Sequence, residues 1–161
     1  MEINVVNTPK KYEEKAEEIV SMLVGLLKEL LTVQERAALR FQRLEQKRIT
    51  VKEKSVRHTE IFDKCKEEYA AVIAGRCTEK EMQWKHPSSI GTRPEYAYIK
   101  GEYTVDFTMK KVDTAIVITH YRESTLDKKH KFVLKLTDGK WLVDEVYSGY
   151  ENERKWFYTG I

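Results

Sequence analysis

Cysteine and glycine are both scarce in this chain of 161 residues, and neither forms a recognisable motif. The two cysteines, Cys65 and Cys77, lie outside any CxxC pair and have no histidine at zinc-ligand spacing, which indicates reduced thiols and not a metal site. Glycines such as Gly25, Gly75 and Gly91 are isolated, so the sequence has no glycine-rich loop for a phosphate group. We therefore expect neither a metal nor a cofactor.

Long hydrophobic runs are also missing. The most apolar stretch, Ile19 to Leu31, contains Lys28 and Glu29 and falls short of the roughly 18 apolar residues that a membrane span requires. The N-terminus lacks the basic region and apolar core of a secretory signal. The 29 basic and 26 acidic residues leave a net charge of +3, which is too small to indicate nucleic-acid binding by itself. These features predict one soluble, cytoplasmic domain over residues 1–161, with no membrane or nucleic-acid partner.

The first half of the chain has the spacing of amphipathic helices. Apolar residues recur every three or four positions through residues 9–48, which predicts a helical N-terminal extension that starts at Thr8-Pro9. Further helices are predicted over residues 51–84. Thr50 and Thr78 are each followed three residues later by a glutamate, which is the pattern of a capping box. We therefore expect helices to begin at these two threonines.

The second half, over residues 96–150, has the pattern of an antiparallel sheet. Tyr103 to Met109 alternates apolar and polar residues, as in a half-buried strand, and Ala115 to Tyr121 is apolar on both faces, as in a central strand. We expect a loop from His86 to Glu95 and a polar connection from Glu123 to His130. Helices followed by such a sheet predict an α+β fold in which the helices cover one face of the sheet.

The strongest local signal is Asp138-Gly139, which lies between two alternating apolar runs and predicts a hairpin with a type I′ turn. Both central residues of that turn need a positive φ, which aspartate and glycine tolerate. A two-residue loop also fixes the predicted cross-strand neighbours, which are Leu136 with Trp141, Leu134 with Val143 and Phe132 with Glu145. This register places Glu145 on the buried face of the sheet.

The order of elements and three local motifs resemble the nuclear-transport-factor-2-like superfamily, in which N-terminal helices pack in the concave face of a curved antiparallel sheet and form a cone. The motifs are Ile61-Phe62, Arg76-Cys77-Thr78 with a following loop (Ser88, Pro94, Tyr96), and the hairpin Lys131–Tyr147. Within the superfamily this combination looks like the immunity proteins of bacterial polymorphic toxin systems, over roughly residues 51–147. The resemblance implies a protein that binds and neutralises a cognate toxin by occlusion, without catalysis.

Two groups of residues are predicted to contact such a partner. Four basic residues recur at helical spacing along one face, which suits a solvated surface or a docking surface for an acidic partner; they are Arg36, Arg40, Arg43 and Lys47. Tyr96 and Tyr98 lie in the aromatic-rich half of the chain, and tyrosine is favoured at interfaces. Residues 150–161 are predicted as a tail or a short last strand that caps the fold or contacts a second copy, which leaves a homodimer open.

The alternative hypothesis is a small-molecule isomerase or dehydratase. Such an enzyme needs a carboxylate or histidine base in an apolar cavity, with a hydroxyl donor opposite. The pocket candidates are Glu145, His120 and Tyr103, and an inward-facing Glu145 is expected to have a raised pKa. The same residues also fit ordinary structural roles at the margin of a sheet. An enzyme should lose activity but not stability on Glu145→Gln, whereas a binding protein should tolerate that change and fail on Arg40→Glu.

Overall fold

The computed structural model describes residues 1–83 and 94–161 and shows an α+β architecture, with two long helices that precede most of the sheet. The helices are α1 (Lys10–Glu13), α2 (Ala16–Glu45), α3 (Val51–Ile73) and α4 (Glu79–Met82), followed by a 3₁₀ helix (Ala97–Lys100). The strands are β1 (Glu2–Val5), β2 (Tyr103–Lys111), β3 (Thr114–Glu123), β4 (Leu126–Thr137), β5 (Lys140–Tyr150) and β6 (Phe157–Tyr158). None of the described helices is long and apolar enough to span a membrane.

The predicted helix starts at Thr50 and Thr78 are confirmed. The Thr50 hydroxyl accepts a hydrogen bond from the Glu53 amide over 3.2 Å, and the Thr78 hydroxyl accepts one from the Glu81 amide over 3.4 Å. Each bond satisfies one of the amide donors that a helix leaves unpaired in its first turn. Because these caps are local, sequence spacing alone was sufficient to locate them.

The start of the first helix differs from the prediction by one residue. Pro9, and not Thr8, is the N-cap residue of α1, and its side chain makes no capping bond. The Thr8 hydroxyl donates instead to the Val6 carbonyl over 2.8 Å and accepts from the Met109 amide over 3.0 Å. Thr8 therefore ties the N-terminal segment to β2, a long-range contact that competes with capping and is invisible in local sequence.

The six strands lie in the order β1 to β6, and every neighbouring pair is antiparallel except β1 with β2. The predicted central strand is confirmed, because β3 has neighbours on both sides. Strand β1 was not predicted. The sheet is not strongly curled, so the expected cone is replaced by a more open sheet. At the β5 edge, Val143 donates to the Arg76 carbonyl and accepts from the Thr78 amide, both over 2.9 Å.

The hairpin between β4 and β5 has the predicted turn, since Asp138 and Gly139 have φ values of 50° and 76°. The predicted register agrees with the structure only beside the turn, where Leu136 pairs with Trp141 and Leu134 with Val143. A β-bulge then inserts Asp144, so that Phe132 pairs with Val146, and Glu145 pairs with Val133. The prediction that Glu145 faces the core beside Phe132 is therefore wrong, because one extra residue reverses the direction of the following side chains.

Two further sheet segments differ in how well they were predicted. The polar connection expected from Glu123 to His130 is wrong, because β3 and β4 extend through it and leave a turn at Ser124, which has a φ of 58°. Of the two alternatives left open for residues 150–161, a tail or a short last strand, the structure shows the strand, β6, which pairs with β5. Of the loop predicted from His86 to Glu95, residues 86–93 lie outside the described part of the chain.

One cluster of buried apolar side chains joins the inner face of the sheet to the helices. It includes Leu23 and Leu27 of α2, Tyr69 of α3 and Phe107 and Phe132 of the sheet, each of which is almost fully buried. Burying a large apolar side chain contributes about 1.5–3 kcal/mol, so this cluster supplies the main favourable free energy of folding. The distal half of the helix pair lies outside the cluster, and Leu44 is the one buried residue between positions 38 and 64.

Candidate functional site

A groove of 680 Å³ lies on this distal half, between the end of α2 and the start of α3. The helices form it because each continues past the sheet and packs mainly against the other. Its apolar lining comes from Leu44, Val56 and Ile61. Its polar lining comes from both helices and consists of Arg40, Arg43, Lys47, Lys52, Arg57, Glu53 and Glu60. We call this feature the basic groove, because five cations face two carboxylates.

The structure brings three of the four predicted basic residues into the basic groove. Arg40, Arg43 and Lys47 line it, whereas Arg36 lies one turn earlier in α2. Arg40 and Arg36 contact the carboxylate of Glu68 on α3, at 3.3 and 3.9 Å. In the described residues, Arg43 and Lys47 have no ion-pair partner. Of the four predicted basic residues, the two nearest the C-terminal end of α2 therefore have a charge that is available to a partner.

Side chains across the two helices fix the tip of this hairpin. His58 of α3 contacts the Glu45 carboxylate over 3.0 Å, and its ring centroid lies 4.9 Å from that of Phe41. Lys54 donates to the Glu45 carbonyl over 3.4 Å. The hydrogen bond with His58, followed by the nearby Lys54 charge, lowers the pKa of Glu45. These contacts connect the two walls of the basic groove.

The two tyrosines predicted to contact a partner differ in burial. Tyr96 has no exposed surface and belongs to the core cluster. The Tyr98 ring stacks on Tyr121 at a centroid distance of 3.8 Å, and its hydroxyl is 2.8 Å from that of Thr119. Burial raises the pKa of both Tyr96 and Tyr98. The structure leaves no surface of Tyr96 for a partner, whereas Tyr98 is half-buried and stays a predicted contact residue. Sequence alone cannot distinguish an interface tyrosine from a buried one.

The three predicted pocket residues do not form one site. Glu145 and His120 project from the outer face of the sheet, whereas Tyr103 lies on the inner face with the alternating core residues of β2. His120 and Tyr103 both line a shallow depression of 670 Å³ at the end of β2 and β3, but Glu145 does not. An apolar cavity shared by an acid, a base and a hydroxyl is therefore not formed by these residues.

The environments of Glu145 and His120 also differ from the prediction. Lys80 donates to the Glu145 carboxylate, and the Tyr147 hydroxyl donates to it over 2.8 Å. The bond from Lys80 is the main reason that the pKa of Glu145 is lowered, which is opposite to the expected direction. His120 has a carboxylate at each ring nitrogen, with Asp106 at 2.9 Å and Glu151 on the other side. Both residues belong to surface polar clusters.

A second site was not predicted from the sequence. It lies on the inner face of the sheet, where β3 and β5 end and β4 begins. It is a cleft of 480 Å³, here called the His130 cleft, with lining residues that include Glu95, Tyr121, Lys128, His130 and Ser148. His130 is 2% exposed, and its Nε2 lies 3.3 Å from Glu95 Oε1. The missed signal was periodicity: His130 and Lys128 continue the alternation of Phe132 and Leu134, but they had been placed in a connection.

Comparisons with known proteins provide no family for this chain. No protein-family model matches it, and no match was found among curated proteins or solved structures. Within residues 1–83 and 94–161, no group of three or more histidine, cysteine, aspartate or glutamate side chains is arranged to hold a metal ion. We therefore infer function from the geometry of the described surface features, above all the basic groove.

Proposed function

We propose that this chain is a binding protein of the immunity type, which neutralises a cognate bacterial toxin by occluding it. The observation that supports this proposal is the basic groove, in which an apolar strip lies between cations on a helical hairpin outside the core. A partner with an acidic, partly apolar surface complements it. Apolar contact then supplies affinity, while opposite charges favour fast and correctly oriented association.

The charge of the groove also limits the kind of toxin. A surplus of cations repels the basic surface of a nuclease, so we propose that the partner presents acidic side chains to this groove. Nucleic acid is a poorer occupant, because Glu53 and Glu60 lie among the cations and repel a phosphate backbone. The proposal places the protein in the cytoplasm of the cell that produces the toxin.

The order of elements supports the resemblance to nuclear-transport-factor-2-like immunity proteins, since helices precede a mostly antiparallel sheet. The open sheet departs from the cone of that superfamily. We propose that the chain is a divergent relative in which the helical hairpin, and not the concave face, carries the partner surface. The alternative enzyme has less support, because Glu145 and His120 lie in separate clusters on the outer face.

The test is growth of cells that express the adjacent upstream reading frame, with and without this protein. The proposal expects the neighbour to arrest growth alone and this chain to restore it. Arg43→Glu combined with Lys47→Glu should abolish rescue, because it reverses two of the groove cations that have no ion-pair partner among the described residues. Lys28→Glu combined with Lys110→Glu is the matched control, since both lysines are exposed and lie outside the groove.

Three results would contradict the proposal. A harmless neighbour removes its main premise. Rescue by the Arg43/Lys47 variant shows that the basic groove is not the contact surface. Equal loss of rescue in the Lys28/Lys110 control shows that overall charge, and not the groove, decides the outcome. Circular dichroism of each variant verifies that it is folded before rescue is scored.

A further inference from the structure

We propose that the basic groove binds an acidic amphipathic helix of the partner, which packs on the helical hairpin as a third helix. This inference rests on the proposed function, since it names the structural element by which the partner is bound. Three features of the groove select this occupant. They are walls that offer no ladder of backbone groups, a size that admits one face of a helix, and an excess of positive charge around an exposed apolar side chain.

The two walls of the groove are helical. The α2 wall extends from Arg40 to Leu44 and ends with Lys47, two residues past the end of the helix, and the α3 wall extends from Lys52 to Ile61. Most backbone groups of a helix bond to one another, so these walls have no row of free donors and acceptors with which an extended segment could pair. The occupant has to satisfy its own backbone, and a helix does this within each turn.

The size of the groove matches one face of a short helix. Residues 52–61 of α3 extend over about 13 Å, at about 1.5 Å per residue. A helix of that length and roughly 10–12 Å in diameter occupies about 1,000–1,500 Å³. The groove measures 680 Å³, so about half of such a helix can enter while the other half stays in solvent. The occupant therefore has apolar side chains at positions i, i+3, i+4 and i+7, with polar side chains on the opposite face.

The charge of the lining selects acidic side chains beside that apolar strip. Four cations of the groove have no ion-pair partner among the described residues, and they are Arg43, Lys47, Lys52 and Arg57. Glu53 and Glu60 can offset only half of this charge. Val56 lies among these groups and is 55% exposed, so an apolar contact point within the charged lining is uncovered. A helix with an apolar strip between glutamates covers Val56 and brings carboxylates to the cations.

The experiment compares three synthetic peptides of about 18 residues, each held helical by a hydrocarbon staple, because short isolated helices are marginal in water. The acidic helix has leucines at the i, i+3, i+4 and i+7 spacing with glutamates beside them. The dispersed helix has the same composition with its leucines spread around all faces, and the basic helix has lysine in place of each glutamate. Fluorescence anisotropy with the full chain should give the acidic helix a Kd of about 100 µM or tighter. The dispersed helix should bind at least about tenfold more weakly, and the basic helix should not bind.

Reversal of the groove charge supplies a matched pair of variants. Arg43→Glu combined with Lys47→Glu should weaken binding of the acidic helix by at least about tenfold and make binding of the basic helix measurable, because the charges of groove and peptide are then opposite again. Lys28→Glu combined with Lys110→Glu changes the same total charge outside the groove and should leave both results as in wild type.

A measurement on the unaltered protein removes any dependence on how the variants fold. In amide NMR spectra, addition of the acidic helix should shift signals of residues 40–61 and leave those of β3 and β4 unchanged. The inference is overturned if the acidic helix does not bind, if the dispersed helix binds equally well, or if the shifts lie outside residues 40–61. Tighter binding of an oligothymidylate than of the acidic helix also overturns it, in favour of nucleic acid.

The outcomes of this experiment differ from those of the toxin test. Rescue that requires Arg43 and Lys47, without binding of the acidic helix, contradicts the helical occupant alone. Binding of the acidic helix together with a harmless neighbouring reading frame contradicts the toxin partner alone.

Discussion

The carboxylate of Glu81 and the backbone amide of Ile161 are joined by a hydrogen bond of 2.6 Å, although 80 positions separate them. The second oxygen of Glu81 accepts from the Tyr158 hydroxyl over 2.5 Å. Glu81 is 0% exposed, and Ile161 is 1% exposed. One buried carboxylate therefore fastens the short helix α4 to the segment that follows β6, and it stabilises the side of the sheet away from β1.

Removal of the Glu81 carboxylate should reduce stability. Glu81→Ala leaves the buried Ile161 amide without its acceptor and also removes the bond to the half-buried Tyr158 hydroxyl; an unsatisfied buried group costs about 1–3 kcal/mol. We expect the free energy of unfolding in urea to fall by about 1–3 kcal/mol. Glu79→Ala, on the exposed side of the same helix, should change it by less than about 0.5 kcal/mol. Equal effects of the two substitutions would show that the bonds to Glu81 contribute nothing.

The same residue predicts a dependence of stability on pH. Burial is the main cause that raises the pKa of Glu81. For an acid whose pKa is higher in the folded state, the stabilising contribution is complete below the pKa of the unfolded chain, about 4.3, and is lost as pH rises through the folded pKa. Glu81→Gln mimics the protonated acid and can still bond to both partners. Its stability relative to wild type should therefore increase as pH rises from about 4 to neutrality, as measured by urea unfolding across that range; a flat difference contradicts this assignment.

Glu145 predicts the opposite dependence. Its pKa is lowered, first of all by the hydrogen bond from Lys80, so its contribution is present above about pH 4.3 and is lost as pH falls through the lower folded pKa. Because the pair is partly exposed, Glu145→Gln should cost only about 0.2–1 kcal/mol at neutral pH. The cost should disappear in acid. Toxin rescue by this variant should equal that of wild type, whereas loss of function with retained stability would favour the enzyme hypothesis.

The hairpin tip should respond to mutation as a local unit. Leu44 is 3% exposed but lies outside the core cluster, so Leu44→Ala should loosen α2 and α3 near the basic groove. Hydrogen exchange should accelerate in residues 38–64 and remain unchanged in β3 and β4. Leu27→Ala, in the core, should instead accelerate exchange throughout and lower stability by about 2–5 kcal/mol. Acceleration in β3 and β4 by Leu44→Ala would show that the tip is coupled to the core.

Local interactions explain what could be predicted of the fold. The caps at Thr50 and Thr78 and the turn at Asp138-Gly139 depend on residues at most three positions apart, so their sequence spacing was sufficient. The bulge at Asp144 depends on distant contacts, because its carboxylate accepts from Thr78 over 2.8 Å and lies 3.6 Å from Lys135. The local sequence pattern does not reveal such contacts. For this reason the bulge was not predicted, and the Glu145 side chain points to the face opposite to the predicted one.

The candidate sites likewise combine features that local sequence predicts with features that depend on distant contacts. Helical spacing was enough to place Arg40, Arg43 and Lys47 on one surface, but the groove exists only because α3 supplies the opposite wall with Lys52 and Arg57. Tyr96 was predicted at an interface from its residue type, whereas its burial depends on the packing of α2, α3 and the sheet. The pair of Glu95 and His130 joins residues 35 positions apart on a loop and a strand, and local pattern has no means to detect it.

Residues 76–78, which pair with Val143, limit how another chain could bind to this protein. With β6 it occupies backbone groups along one edge of the described sheet, and the strand at the opposite edge, β1, is only four residues long. Few ladder positions therefore remain for an added strand from another chain. The proposed recognition therefore uses side chains, which can be exchanged without altering backbone pairing. Under that proposal, substitutions in the helical hairpin can change the partner while the pairing of the strands stays the same.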